Sequence, residues 1–188
     1  MIHHYAQDIS RWKNWQKEYR YGVILIIPTD PPRRQIDYLR TKYDPSSQAI
    51  CGAHISLTTA LTKEMTQTDW EALKNIAAGI ASFKISYGPL TNFLPAPGIV
   101  LAIEPKKKLN TIRAVLESAA VFKGAPPREY PFVPHMTIAE FITEEETKKL
   151  MIKLKDTIPQ GDFICTYLSY IVPDENFHFS ERGRLALS

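Results

Sequence analysis

Ala53-His54-Ile55-Ser56-Leu57-Thr58 and Pro134-His135-Met136-Thr137-Ile138-Ala139 carry one pattern, an imidazole followed two positions later by a hydroxyl. The two histidines stand 81 residues apart, from 54 to 135. Downstream of each comes a capping-box sequence, Thr66-Gln67-Thr68-Asp69 in one case and Thr143-Glu144-Glu145-Glu146 in the other. Each box opens an amphipathic helix, with Trp70, Leu73, Ala77 and Ile80 on the first apolar face and Leu150, Met151, Leu154 and Ile158 on the second. A strand beginning with Phe follows, Phe83 lying 29 residues after its histidine (54 to 83) and Phe163 lying 28 after its own (135 to 163). Chance can supply one short motif, but agreement in motif, order and spacing is the mark of an internal repeat. The chain reads as one α+β domain of two similar lobes, approximately residues 21–98 and 99–188, with residues 1–20 as an N-terminal extension.

Working outward, residues 21–27 form an apolar, β-rich run stopped by Pro28. Asp30-Pro31-Pro32 starts a helix with Ile36, Leu39 and Tyr43 as its stripe, and Asp44-Pro45 ends it. Residues 53–58 and 83–87 read as strands. Gly88-Pro89 and Pro95-Ala96-Pro97-Gly98 bracket a loop before a strand at 99–103. Pro105 opens a helix with Leu109, Ile112, Leu116 and Ala119 inward, and strands follow at 133–139, 163–172 and within 177–187. In the extension, Trp12, Trp15 and Tyr19 fall at i, i+3 and i+7, which predicts a short helix laying an aromatic face on the body, with a peripheral RNA contact as the alternative.

Composition excludes several classes. Of 188 residues, 44% are hydrophobic and 23% charged, which is the balance of a chain with a real core and not of a disordered one. The longest apolar run, residues 23–27, is far short of the roughly 20 needed for a membrane span. The first eight residues lack a basic segment followed by an apolar one, and Cys51 and Cys165 make no disulfide framework. The expectation is a reduced, cytoplasmic, monomeric protein. A net charge of +3 suits an anionic ligand without arguing for duplex binding.

Residues i and i+2 of a strand share a face. His54 with Ser56, and His135 with Thr137, therefore each present imidazole and hydroxyl side by side. Packed about a pseudo-twofold axis with these strands adjacent, the lobes would line one cleft with two of each. That set suits a phosphodiester. One neutral imidazole takes a proton from the attacking oxygen, the other as imidazolium gives one to the leaving oxygen, and the hydroxyls donate to non-bridging phosphate oxygens. Neither a metal nor another cofactor is called for. A single strand histidine is more often structural, and Ser or Thr is ordinary in a strand. Repeating a polar pair on two otherwise apolar strands has no packing reason.

His54-Ile55-Ser56-Leu57 and His135-Met136-Thr137-Ile138 resemble the two H-x-[ST]-x motifs of the 2H phosphoesterase superfamily, which contains the RNA 2′,3′-cyclic phosphodiesterases first described as 2′-5′ RNA ligases. The resemblance runs from Tyr21 onward and includes Tyr43-Asp44-Pro45. It implies a bilobal fold around a central groove and metal-free hydrolysis of 2′,3′-cyclic or 2′-5′ phosphodiesters of nucleotides or RNA ends, with reverse ligation as a further activity. His54 and His135 become acid and base, and Ser56 and Thr137 phosphate binders. Many RNA-acting members carry an Arg soon after the second motif, whereas this chain has Ala139-Glu140-Phe141. The alternatives are a 2H enzyme acting on a small cyclic or signalling oligonucleotide, or a non-catalytic RNA- or nucleotide-binding module. Two complete pairs favour an enzyme, because binding alone does not need two proton-transfer groups.

Among the remaining residues, Tyr21, Tyr130 and Phe132 are candidates to stack on a nucleobase, with Tyr87 and Phe93 further aromatics of the same kind. Arg128, Arg182 and Arg184 are the basic residues expected near the groove. Cys51 is a weak nucleophile candidate, and Lys106-Lys107-Lys108 reads as a solvated run. His3, His4 and His178 have no counterpart in the repeat, although His178, between Phe177 and Phe179, could edge the cleft.

Overall fold

The computed structural model describes residues 4–128 and 130–188. Eight strands are present among them: β1 (Val23–Ile26), β2 (Ile55–Ser56), β3 (Phe83–Phe93), β4 (Ala96–Glu104), β5 (His135–Glu140), β6 (Gly161–Cys165), β7 (Tyr167–Pro173) and β8 (Phe179–Ala186). The helices are α1 (Asn14–Lys17), α2 (Pro32–Tyr43), α3 (Pro45–Ile50), α4 (Gln67–Ala78), α5 (Lys106–Glu117) and α6 (Glu144–Leu154). The strands build two four-stranded antiparallel sheets, ordered β2-β1-β7-β8 and β5-β4-β3-β6. Both motif strands, β2 and β5, are thus edge strands, and these two edges lie against each other. Ile24, Ile26 and Leu168 from one sheet share a continuous core with Ile85, Leu101 and Ile103 from the other. No helix among the described residues is long and apolar enough to cross a membrane.

The sheets are not consecutive halves of the chain. Residue 98 lies inside β4, and the C-terminal hairpin β7–β8 returns to pair with β1. Both capping boxes form: the Thr66 hydroxyl accepts from the Asp69 amide and the Thr143 hydroxyl from the Glu146 amide, while each carboxylate accepts from its threonine amide.

Three local expectations are corrected. The single strand at 163–172 is two: β6 ends in one sheet at Cys165 and β7 begins in the other at Tyr167, a switch that an unbroken β-rich run does not reveal. The loop at 88–98 is mostly hairpin. β3 continues through a register shift at Gly88-Pro89, where a missing proline N–H is tolerated, and the chain turns at Leu94-Pro95. Asp44-Pro45 ends α2 as expected, and the Asp44 carboxylate also accepts from the Ser47 amide and starts α3. In the extension, helix covers only Asn14–Lys17, with a 3₁₀ turn from Glu18 to Tyr21, and Trp12 lies ahead of both, buried against Phe177.

Gly22 links that turn to β1 with φ of +86°, the left-handed region that side chains avoid. A Cβ there would collide with the Ile171 carbonyl oxygen and lie 2.8 Å from the Tyr170 ring. Gly22→Ala should therefore lower unfolding free energy by about 2–4 kcal/mol from strain and overpacking combined. Urea denaturation measures this, and an unchanged midpoint would contradict the close approach.

Candidate active site

His54 immediately precedes β2 and His135 opens β5, and both imidazoles are half-buried. Each is held in the same way. Nδ1 of His54 lies 2.7 Å from the Gly52 carbonyl oxygen, and Nδ1 of His135 lies 2.7 Å from that of Val133. A carbonyl oxygen can only accept, so Nδ1 carries the proton in both rings and Nε2 is left for chemistry. His135 also meets the Phe93 ring edge-on at 5.0 Å. Burial is the main reason both imidazoles titrate below the usual histidine value. The Arg40 charge adds to this for His54, and His54 itself does so for His135. The histidines are therefore within electrostatic reach of each other.

In β5, Ile99 pairs with Ala139 but Val100 pairs with Thr137, so Ile138 is an extra, bulged residue. Met136, Ile138 and Ala139 are buried while His135, Thr137 and Glu140 remain partly accessible. Without the bulge, simple alternation would put Ala139 rather than Glu140 in line with His135 and Thr137. The backbone of both motifs is held by the polar face of α2. Asp37 accepts from the Ala53 amide at 2.6 Å, and Asp44 accepts from the Glu140 amide at 2.9 Å. Between them Arg40, 1% exposed, donates to the carbonyls of Cys51 (3.0 Å) and Thr137 (2.8 Å) and to the Gln48 side chain (3.0 Å). Sequence reasoning missed Asp37 and Arg40. Their spacing with Asp44, at i, i+3 and i+7 on one helical face, was the available signal.

A cavity opens at this junction, lined by His54, Ser56, Arg40 and Glu140 and walled by Trp15, Tyr19, Phe141, Phe177 and Phe179. At Tyr19, Val23 and Ser56 it meets a second groove that runs past Arg20, Tyr21, Thr58, Thr59 and Arg128. Tyr21 and Arg128 thus reach the groove system. Tyr130 and Phe132 line a separate depression with Arg128, whose guanidinium, like that of Arg113, lies 5.2 Å from the Phe132 ring centre and pairs with Glu117.

Arg182 and Arg184 are exposed on β8 and are not among the residues lining the two grooves described above. His178 is exposed in the β7–β8 turn, while its neighbours Phe177 and Phe179 face the cavity. His4 is exposed and His3 lies outside the described residues. The Cys51 thiol is pushed up to about 12 by burial and stays protonated, which removes it as a nucleophile at neutral pH. In the basic run, Lys106 pairs with Glu104 and Lys108 lies over the Phe83 ring. Tyr87 is buried in β3. Among the described residues, no three His, Cys, Asp or Glu side chains are grouped to hold a metal ion.

The family model of the 2′-5′ RNA ligase superfamily matches residues 28–176. The chain belongs to that superfamily. Membership places it among the 2H, LigT-like phosphoesterases. A relative from Oceanobacillus iheyensis, named a "putative phosphoesterase", is 29% identical over 72% of this chain and 79% of its own. Another so named, from Bacillus cytotoxicus, is 25% identical over 86% and 95%. Among solved structures, the LigT of E. coli in complex with 3′-AMP superposes with a TM-score of 0.62 at 20% identity, covering 88% of this chain and 97% of LigT. A Thermus thermophilus protein superposes at 0.55 and 15% identity, covering 88% and 96%. These superpositions extend the likeness to the whole fold.

Arg40→Leu should cost this superfamily member about 3–5 kcal/mol in urea unfolding, because several buried acceptors lose their donor at once. Arg40→Lys should recover only part, since one ammonium cannot reproduce a fork reaching three groups. Equal stability of the wild type and Arg40→Leu would contradict the bridging role.

Proposed function

We propose that this chain hydrolyses 2′,3′-cyclic or 2′-5′ phosphodiesters of nucleotides or RNA ends by two-histidine acid/base catalysis. The observation that carries this is the matched pair of imidazoles, each with Nδ1–H committed to a carbonyl two residues back and Nε2 free. The neutral Nε2 of one takes a proton from water as the oxygen attacks phosphorus. The bond from phosphorus to the leaving 2′ or 3′ oxygen breaks, and the protonated Nε2 of the other supplies that oxygen with its proton. One water is consumed, a phosphomonoester forms, and the imidazoles finish with their protonation states exchanged. Ser56 and Thr137 donate hydrogen bonds to the non-bridging oxygens, where charge concentrates. The negative charge of the substrate favours the one imidazolium that this cycle requires.

A panel of 2′,3′-cyclic, 3′,5′-cyclic and 2′-5′-linked substrates, assayed in EDTA, tests the reading. Turnover of a 2′,3′-cyclic or 2′-5′ substrate should persist in the chelator. Saturable binding without turnover would instead make the chain a nucleotide-binding module. His54→Ala and His135→Ala should each lower kcat/KM roughly 10²- to 10⁴-fold, with a double variant costing far less than the product.

The pH dependence has a defined sign. Both imidazoles titrate below their ordinary 6.5, so the singly protonated pair is most populated on the acid side of that value. The kcat/KM profile should be a bell with its maximum below pH 6.5, falling above it as the acid deprotonates and below it as the base protonates. A profile flat from pH 5 to 8 would overturn the two-histidine assignment.

A further inference from the structure

We infer that Trp15 and Phe141 form a clamp for a nucleobase at the mouth of the histidine cavity, so that the substrate is a nucleoside derivative rather than a bare sugar phosphate. This rests on the hydrolase reading for the identity of the phosphodiester, and the clamp itself rests on separate observations. The two rings are 6.2 Å apart between centres and only 32° from parallel. A flat ring sandwiched at van der Waals contact on both sides needs about 7 Å, given carbon contacts near 3.5 Å. At this separation the rings pair with each other, so a base enters by parting them. Trp15 is braced by perpendicular contacts to Phe177 at 5.4 Å and Tyr19 at 6.3 Å, yet it remains 42% exposed.

Phe141 supplies the second observation. Among the described residues only Phe141 and Phe177 hold positive φ without being glycine, at 55° and 64°. Phe177 is 4% exposed, so packing offsets its strain. Phe141 is 76% exposed and its ring meets Trp15 only at a tilt, so little burial offsets its strained backbone. An observed outlier of this kind marks a ligand clamp. Glu140 lines the cavity together with Arg40, His54 and Ser56, and its carboxylate can accept from the N–H donors on a base edge. Trp15 precedes residue 28, where the superfamily match begins, so this wall belongs to the chain's own N-terminal segment.

The test compares adenosine 2′,3′-cyclic phosphate with 1-O-methylribose 2′,3′-cyclic phosphate, which lacks a base. For Trp15→Ala and Phe141→Asn, KM for the adenosine substrate should rise roughly 5- to 100-fold, the range for losing one stacking partner. KM for the methylriboside should stay unchanged. Phe141→Asn should also leave Tm equal or higher, because Asn accepts the left-handed conformation, whereas a packing role would lower it. Equal effects on both substrates, or none on either, would overturn the clamp. Should the wild type turn over neither substrate, the 2′,3′-cyclic hydrolase reading fails on its own. Equilibrium dialysis with adenosine 3′-monophosphate then decides the clamp, which stands if both variants weaken binding and falls if neither does.

Discussion

A guanidinium buried without a carboxylate partner in hydrogen-bonding contact governs how the two halves of the site meet. Arg40 reaches from α2 to the Cys51 carbonyl just ahead of the first motif and to the Thr137 carbonyl inside the second. Burying an ion is costly unless its hydrogen bonds are met. Arg40 meets that requirement only when both motif strands stand at the correct distance, so the same contacts that satisfy the charge fix the separation of the histidines. Asp37 and Asp44 extend the device to either side, one holding Ala53 and the other Glu140.

The electrostatic consequence reaches the chemistry. Burial pushes both imidazoles toward their neutral forms, and the Arg40 charge adds to this for His54 as His54 does for His135. In the proposed mechanism a phosphodiester anion near the rings would offset that preference by Coulomb attraction.

Much of this was legible in the sequence, for identifiable reasons. The period of two in strands and the repeat at 54 and 135 picked out His54, Ser56, His135 and Thr137; their strands lie edge against edge, and of the four His54 and Ser56 line the cavity. Capping chemistry located the starts of α4 and α6. Arg40 escaped because a charged residue on a helix ordinarily faces water, and only the tertiary fold shows α2 laid across both motifs. Phe141 escaped because it follows a bulged strand, where no periodicity applies. Sheet membership does not follow chain order, since β7 pairs with β1 some 145 residues earlier in the chain and β8 in turn pairs with β7.

The passage from β6 to β7 has a mechanical meaning. With only Thr166 between a strand of one sheet and a strand of the other, the walls of the groove share a short covalent splice. A second fastening lies at the chain end, where Ser188 exchanges backbone hydrogen bonds with Ile80 and Ser82. A one-residue splice and a pair of backbone bonds tie the two sheets together at two places, so the groove walls cannot shift relative to each other there without breaking or straining one of these ties.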